Sequence, residues 1–184
     1  MDFAQEKTPV HVLAEDEATL YLQATLTRVW APRGQPPPVW VDPGRQKTCF
    51  YGTLDLHTGR CFVTQAETMN SALTAEHLEL ILRTLPEGKI LLLWDRAPWH
   101  GGEAVAQVLA QNPRLEILKF PVAAPDLNPQ EKVWKAARQT ISHNHRFAQL
   151  PDLGAAFQQY LETETFPCNM LDVYGFNAVR PMFE

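Results

Sequence analysis

The sequence is poor in three things, and each scarcity excludes something. Cysteine occurs three times in 184 residues (Cys49, Cys61, Cys168). The count is odd, the spacing is wide and no C-x-x-C pair occurs, so neither a disulfide framework nor a thiolate zinc site is expected. The three are best read as small, partly buried hydrophobes. Long apolar runs are also missing: none approaches the roughly 20 residues of a membrane span. The opening Met-Asp-Phe-Ala-Gln-Glu-Lys lacks the basic stretch and apolar core of a secretory signal, so an intracellular, soluble protein is expected. Positive charge is the third shortage. With 16 Lys and Arg against 21 Asp and Glu, the net charge is −5. A free-standing DNA binder usually carries a basic excess, because affinity comes largely from neutralising phosphates. Either the chain has no business with DNA, or its main DNA grip sits in another domain or chain.

What is present supports one folded unit. Hydrophobic residues make up 45% and charged ones 20%, enough for a sizeable core in a single domain with its core at about residues 10–165. No internal repeat and no low-complexity tract interrupts the chain. Val10, Val12, Ala14 and Asp16 alternate on one face of an opening strand. Residues 28–38, rich in proline and glycine, read as a loop. Lys47 to Leu56 and Cys61 to Thr64 form a hairpin around Thr58-Gly59. Leu78, Ile81, Leu82 and Leu85 then recur at helical spacing and stop at Pro86. Lys89-Ile-Leu-Leu-Leu-Trp94 is a continuous apolar run, as in a strand covered on both faces. A second helix carries Val105, Val108 and Leu109, and a strand runs from Leu115 to Phe120. A helix opened by Asn128-Pro129 carries Val133, Trp134, Ala137 and Ile141; a last one carries Leu153, Phe157, Tyr160 and Leu161. Three antiparallel strands followed by alternating helices and strands predict an α/β mixed sheet flanked by helices.

Three carboxylates stand out. Asp95 ends a presumed buried strand, where open α/β sheets place ligands and where an unpaired charge is costly. Asp16 closes the apolar face of the first strand, with Glu15 and Glu17 opposite; the position suits a metal ligand or a solvated strand end. Glu131 lies three residues after Asn128, which fits a capping box with proline at the first helical position. Taken alone, capping explains it. Hard divalent cations take oxygen ligands from a few carboxylates and substrate phosphate, and a pair of them can assist phosphoryl transfer.

At these residues the chain resembles the bacterial insertion-sequence branch of the mariner superfamily, transposases with an Asp-Asp-Glu triad on a ribonuclease H-like fold. The matching segments are Leu13-Ala-Glu-Asp-Glu17, Val29-Trp-Ala-Pro-Arg-Gly34, Leu93-Trp-Asp-Arg-Ala-Pro-Trp-His100 and Pro125-Asp-Leu-Asn-Pro-Gln-Glu-Lys-Val-Trp134. They span most of the chain from about residue 10 to 144. The resemblance implies a fold of three antiparallel strands followed by two parallel ones. It implies that Asp16, Asp95 and Glu131 are catalytic and hold two Mg2+ ions, Mn2+ substituting, with Asp16 shared between them. The 35 residues between Asp95 and Glu131 suit the mid-thirties spacing of the group. It also implies DNA as partner (element ends and target), cleavage followed by attack of the freed 3′-hydroxyl, a homodimer in the synaptic complex, and a nucleoid-associated cytoplasmic setting. Arg96 (where the group commonly has Asn), His100, Lys135, Arg138, Arg28 and Arg33 become candidate DNA contacts. Trp134 is expected to anchor its helix in the core. The family's amino-terminal helix-turn-helix reader is absent from this sequence, so the catalytic part alone is expected, in keeping with its acidic balance. A nuclease or resolvase that only cuts, or an inactive fragment serving as a DNA-binding or dimerisation module, are the alternatives.

Overall fold

The computed structural model describes residues 9–23, 25–39, 44–121 and 125–167; the opening heptapeptide and Cys168 lie outside them. A five-stranded sheet in the order β3-β2-β1-β4-β5 forms the centre. Strands β1 (Val10–Tyr21), β2 (Lys47–Asp55) and β3 (Cys61–Ala66) make an antiparallel meander. Strands β4 (Lys89–Trp94) and β5 (Leu115–Lys119) run parallel to β1 on its other side. The β2–β3 turn is tied by the Asp55 carboxylate, which accepts the backbone N–H groups of His57 and Thr58, and by Gly59 at φ 71°.

Helices cover both faces. Helices α1 (Ser71–Thr84) and α2 (Glu103–Gln111) pack on one side, where Leu13, Ile90, Leu92 and Trp94 meet Leu78, Ile81, Val105 and Val108. Asn70 caps α1 by accepting the Leu73 N–H, and the helix stops before Pro86. On the opposite face Ala14, Ala18, Phe50, Leu54 and Val63 meet Val133, Trp134, Ala137 and Phe157 of α3 (Gln130–Ala137) and α4 (Leu150–Thr163). Each strand's alternation thus feeds two separate cores.

Two boundaries differ from the sequence expectation. β1 continues to Tyr21, so Asp16 lies in mid-strand and Ala18 and Leu20 prolong its apolar face. Pairing with β2 through Tyr21–Lys47 carries the strand past its acidic cluster. The third helix loosens into a π-turn, Arg138–Ser142, before Ile141 completes its apolar stripe. The loop expected at 28–38 is a solvent-exposed arm that turns at Arg33-Gly34, with Trp30 fully exposed. Cys49 and Cys61 are free and buried, as small hydrophobes should be.

Gly52 permits the closest approach between sheet and helix. It pairs with Asp16 across β1 and β2, and the Trp134 indole lies directly over it. A Cβ at this position would overlap both the indole and the Gln130 amide. Gly52→Ala is therefore expected to cost about 1–3 kcal/mol by overpacking. A urea midpoint equal to that of the unsubstituted protein would contradict this packing.

Candidate active site

Asp16 is held where a carboxylate is uncomfortable. Its Oδ2 accepts the Trp134 indole N–H at 3.0 Å, and the side chain sits on the face packed by α3. Burial first, then the charges of Glu131 and Glu17, push its carboxyl up from 3.8 to about 7. Asp16 and Glu131, far apart in sequence, are thus electrostatic neighbours.

Asp95 follows the last residue of β4. The β1–β4 register reaches Ala14–Leu93, and Asp16 and Asp95 each lie two residues further along. Asp95 turns the chain: its Oδ1 accepts the Ala97 N–H at 2.7 Å and lies 3.1 Å from His100 Nδ1. Its side chain is half exposed at the carboxyl end of the strand, where open α/β sheets usually place ligands.

Glu131 does not cap its helix. Asn128 Oδ1 instead accepts the Gln130 N–H at 3.1 Å, while Asn128 Nδ2 donates to the Glu15 carbonyl at 3.0 Å. The asparagine thus holds the first N–H of α3 and ties the helix start to β1 beside Asp16. Glu131 is exposed and lines a cleft of about 510 Å3 with Asp126, Asn128, Lys132, Lys135, Arg138 and His143.

The other face of β1 holds a group that the sequence reading missed. Ligand atoms of Glu15, Glu17 and His100 all lie within 4.8 Å of one another; among the described residues this is the grouping of metal-ligand type that converges so tightly, and Asp16, Asp95 and Glu131 do not form one. His100 Nε2 lies 2.9 Å from Glu17 Oε1 and 3.2 Å from Glu15 Oε2, and Trp99 Nε1 donates to Glu17 at 2.5 Å. Burial pushes Glu15 up to about 8, with Glu17 adding to the effect. Burial opposes charge on His100, but its bonds to Glu15 and Glu17 outweigh that and raise it to about 10. The imidazolium already supplies the positive charge these carboxylates need. Strand alternation had placed Glu15 and Glu17 on this face, yet nothing in the local sequence signalled that α1 and α2 would bury it.

The candidate DNA contacts divide. His100 is buried, with both ring nitrogens facing carboxylate or carbonyl oxygens, so it is corrected from a DNA contact to an internal one. Arg96 is exposed and its Nε donates to the Phe120 carbonyl, linking the ends of β4 and β5. Lys135 and Arg138 line the cleft beside Glu131, together with Lys132, which sequence reasoning had not singled out. Arg28 and Arg33 lie on the exposed arm, whose base is held by Asn144 through Thr25 and Thr27.

Asp16 on β1, Asp95 at the end of β4 and Glu131 on α3 each offer hard oxygen donors. The raised carboxyl of Asp16 marks a place where a cation would relieve repulsion, so the residues present fit a divalent ion.

A family model described as DDE superfamily endonuclease matches residues 11–154. The chain is 29% identical over 154 residues to the insertion element IS630 uncharacterized 39 kDa protein of Shigella sonnei, a match covering 83% of this chain and 45% of that protein. The chain thus spans less than half the length of that curated relative. Its fold matches Mos1 transposase in a paired-end complex with left transposon end (TM-score 0.67, 18% identity, 94% of this chain and 54% of that one). It also matches the catalytic domain of Mos1 mariner transposase (TM-score 0.62, 18% identity, 91% and 77%). The mixed sheet is that of the ribonuclease H-like transposase catalytic fold. Mos1 complexes with Mn and with Mg share it, at 20% and 19% identity with TM-scores of 0.66 and 0.67.

The raised carboxyl of Asp16 gives a signed prediction. The folded state holds this proton more tightly than the unfolded one, so the associated stability is full below about pH 4 and is lost as pH rises towards 7. Asp16→Asn removes that loss while keeping an acceptor for Trp134. In chelator, thermal melts are expected to place the variant several degrees above the parent at pH 8 and level with it at pH 4. A pH-independent difference would count against the burial assigned to Asp16.

Proposed function

The chain belongs to the DDE superfamily endonuclease family, and we propose that it is the catalytic domain of a cut-and-paste DNA transposase of insertion-sequence type. In this reading Asp16, Asp95 and Glu131 hold two divalent ions, Mg2+ or Mn2+. The observation that carries it is the placement of Asp16: a partly buried carboxylate on the central strand, held by Trp134 and facing the charge of Glu131. The Mos1 structures whose fold it shares contain transposon-end DNA, Mn or Mg. Bound ions would supply the charge neutralisation and water activation that phosphoryl transfer requires.

The protein's own residues have the remaining tasks. Asp16 and Glu131 approach one another from strand and helix, and Asp95 presents its carboxylate from the end of β4. Lys132, Lys135 and Arg138 border the cleft next to Glu131 and give a DNA backbone a positive track there, despite the net charge of −5. Arg96, Arg28 and Arg33 are exposed and available to further phosphates. We place the reaction on bacterial chromosomal DNA in the cytoplasm, with cleavage at element ends followed by joining to a target. A helix-turn-helix reader and a second copy of the chain complete the synaptic complex in this reading.

Asp95→Asn is expected to reduce manganese-dependent nicking of supercoiled plasmid to background while the circular dichroism spectrum stays unchanged; retained nicking would exclude Asp95 from the chemistry. Joined products from pre-cleaved ends distinguish a transposase from an enzyme that only cuts. Lys135→Ala and Arg138→Ala should each weaken binding to duplex DNA of any sequence. Each should lower the salt slope of log K by about 1. Unchanged slopes in both would move the DNA path elsewhere.

A further inference from the structure

We infer that His100 is a positioning residue for Asp95, fixing one carboxylate oxygen so that the other is left for a metal ion. The inference rests on the reading of Asp95 as a metal carboxylate and adds a role for a buried residue that touches neither DNA nor ion.

The geometry is that of a braced clamp. His100 Nδ1 lies 3.1 Å from Asp95 Oδ1 and 3.3 Å from the Asp95 carbonyl. Its Nε2 lies 2.9 Å from Glu17 Oε1 and 3.2 Å from Glu15 Oε2. The Asp95 and Glu17 oxygens it faces also accept N–H groups, so both ring nitrogens donate, and one ring joins Asp95 to the reverse face of the strand that carries Asp16. The ring cannot swing. Trp94 stacks on it at a centroid distance of 4.3 Å with planes 4° apart, and Trp99 meets it edge-on. Glu17 is itself held by the Trp99 N–H.

Asp95 Oδ1 therefore takes two donors, His100 Nδ1 and the Ala97 N–H, whereas Oδ2 has no hydrogen-bond partner among the described residues. Asp16 is served similarly from the other side of the sheet, where Trp134 donates to one of its oxygens. Each strand carboxylate thus has one oxygen occupied by a ring N–H. Such partners behind a ligand commonly govern metal affinity by 10–100-fold.

Two substitutions separate positioning from packing. His100→Asn can place an amide N–H near the Nδ1 position, facing Asp95. His100→Gln can reach the Nε2 position, facing Glu17, and abandons Asp95. With the chain folded by circular dichroism, manganese affinity is measured by titration with electron paramagnetic resonance detection. Asp95→Asn should lose binding, His100→Gln should weaken it at least about 10-fold, and His100→Asn should stay close to the parent. Equal losses in both histidine variants, or no loss in either, overturns the positioning role while leaving the metal site standing. Parent and Asp95→Asn binding alike instead overturns the site reading on which it depends. Should His100→Gln fail to fold, the parent protein still decides. Its His100 Nδ1 proton should resonate far downfield and move in Asp95→Asn, and an unmoved resonance rejects the inference.

Discussion

Three consecutive carboxylates on the central strand constrain everything around them. Glu15, Asp16 and Glu17 sit in mid-β1, between β2 and the end of β4, where the sheet is covered on both faces. Alternation sends Asp16 one way and its neighbours the other, and neither side is open water. A buried charge must find a proton, a cation or directed hydrogen bonds. All three remedies occur here: Glu15 is raised into its protonated form, His100 provides a cation to Glu17, and Trp134 gives Asp16 a donor.

Those demands explain why the third helix sits where it does. Asn128 binds the Glu15 carbonyl, Pro129 and Gln130 start the helix, and Trp134 drops its indole across bare Gly52 onto Asp16. The same two turns carry Glu131 to the cleft and set Lys132, Lys135 and Arg138 along it. One short helix thereby fixes Glu131, the core anchor Trp134 and the basic residues of the cleft relative to the strand. Val133 and Ala137 pack the same helix onto the sheet core, so the position of Glu131 against Asp16 is held by apolar burial as well as by these contacts.

Much of the fold was legible in the chain. Continuous apolarity at 89–94, the hairpin around Thr58-Gly59 and the helical periodicities depend on near neighbours, and all reappear as elements. The reach of β1 did not show, since residues 15–17 read as a polar strand end, and only pairing with β2 through Lys47 carries the strand on. Glu131 was ambiguous for a local reason: Asn-Pro-x-Glu is what a capping box looks like, and the asparagine's amide N–H reaches a carbonyl 113 residues away that no local reading could supply.

The sequence by itself determined the element order, the two-faced alternation of β1 and the identity of the candidate carboxylates, because periodicity and motif spacing are properties of neighbouring residues. Only the tertiary structure decided which face each carboxylate meets and who neutralises it. His100, readable as a DNA contact from its place after Asp95, became internal because Glu15, Glu17, Trp94 and Trp99 surround it. Burial and long-range hydrogen bonds set the charge of these groups, and both arise from parts of the chain brought together by folding.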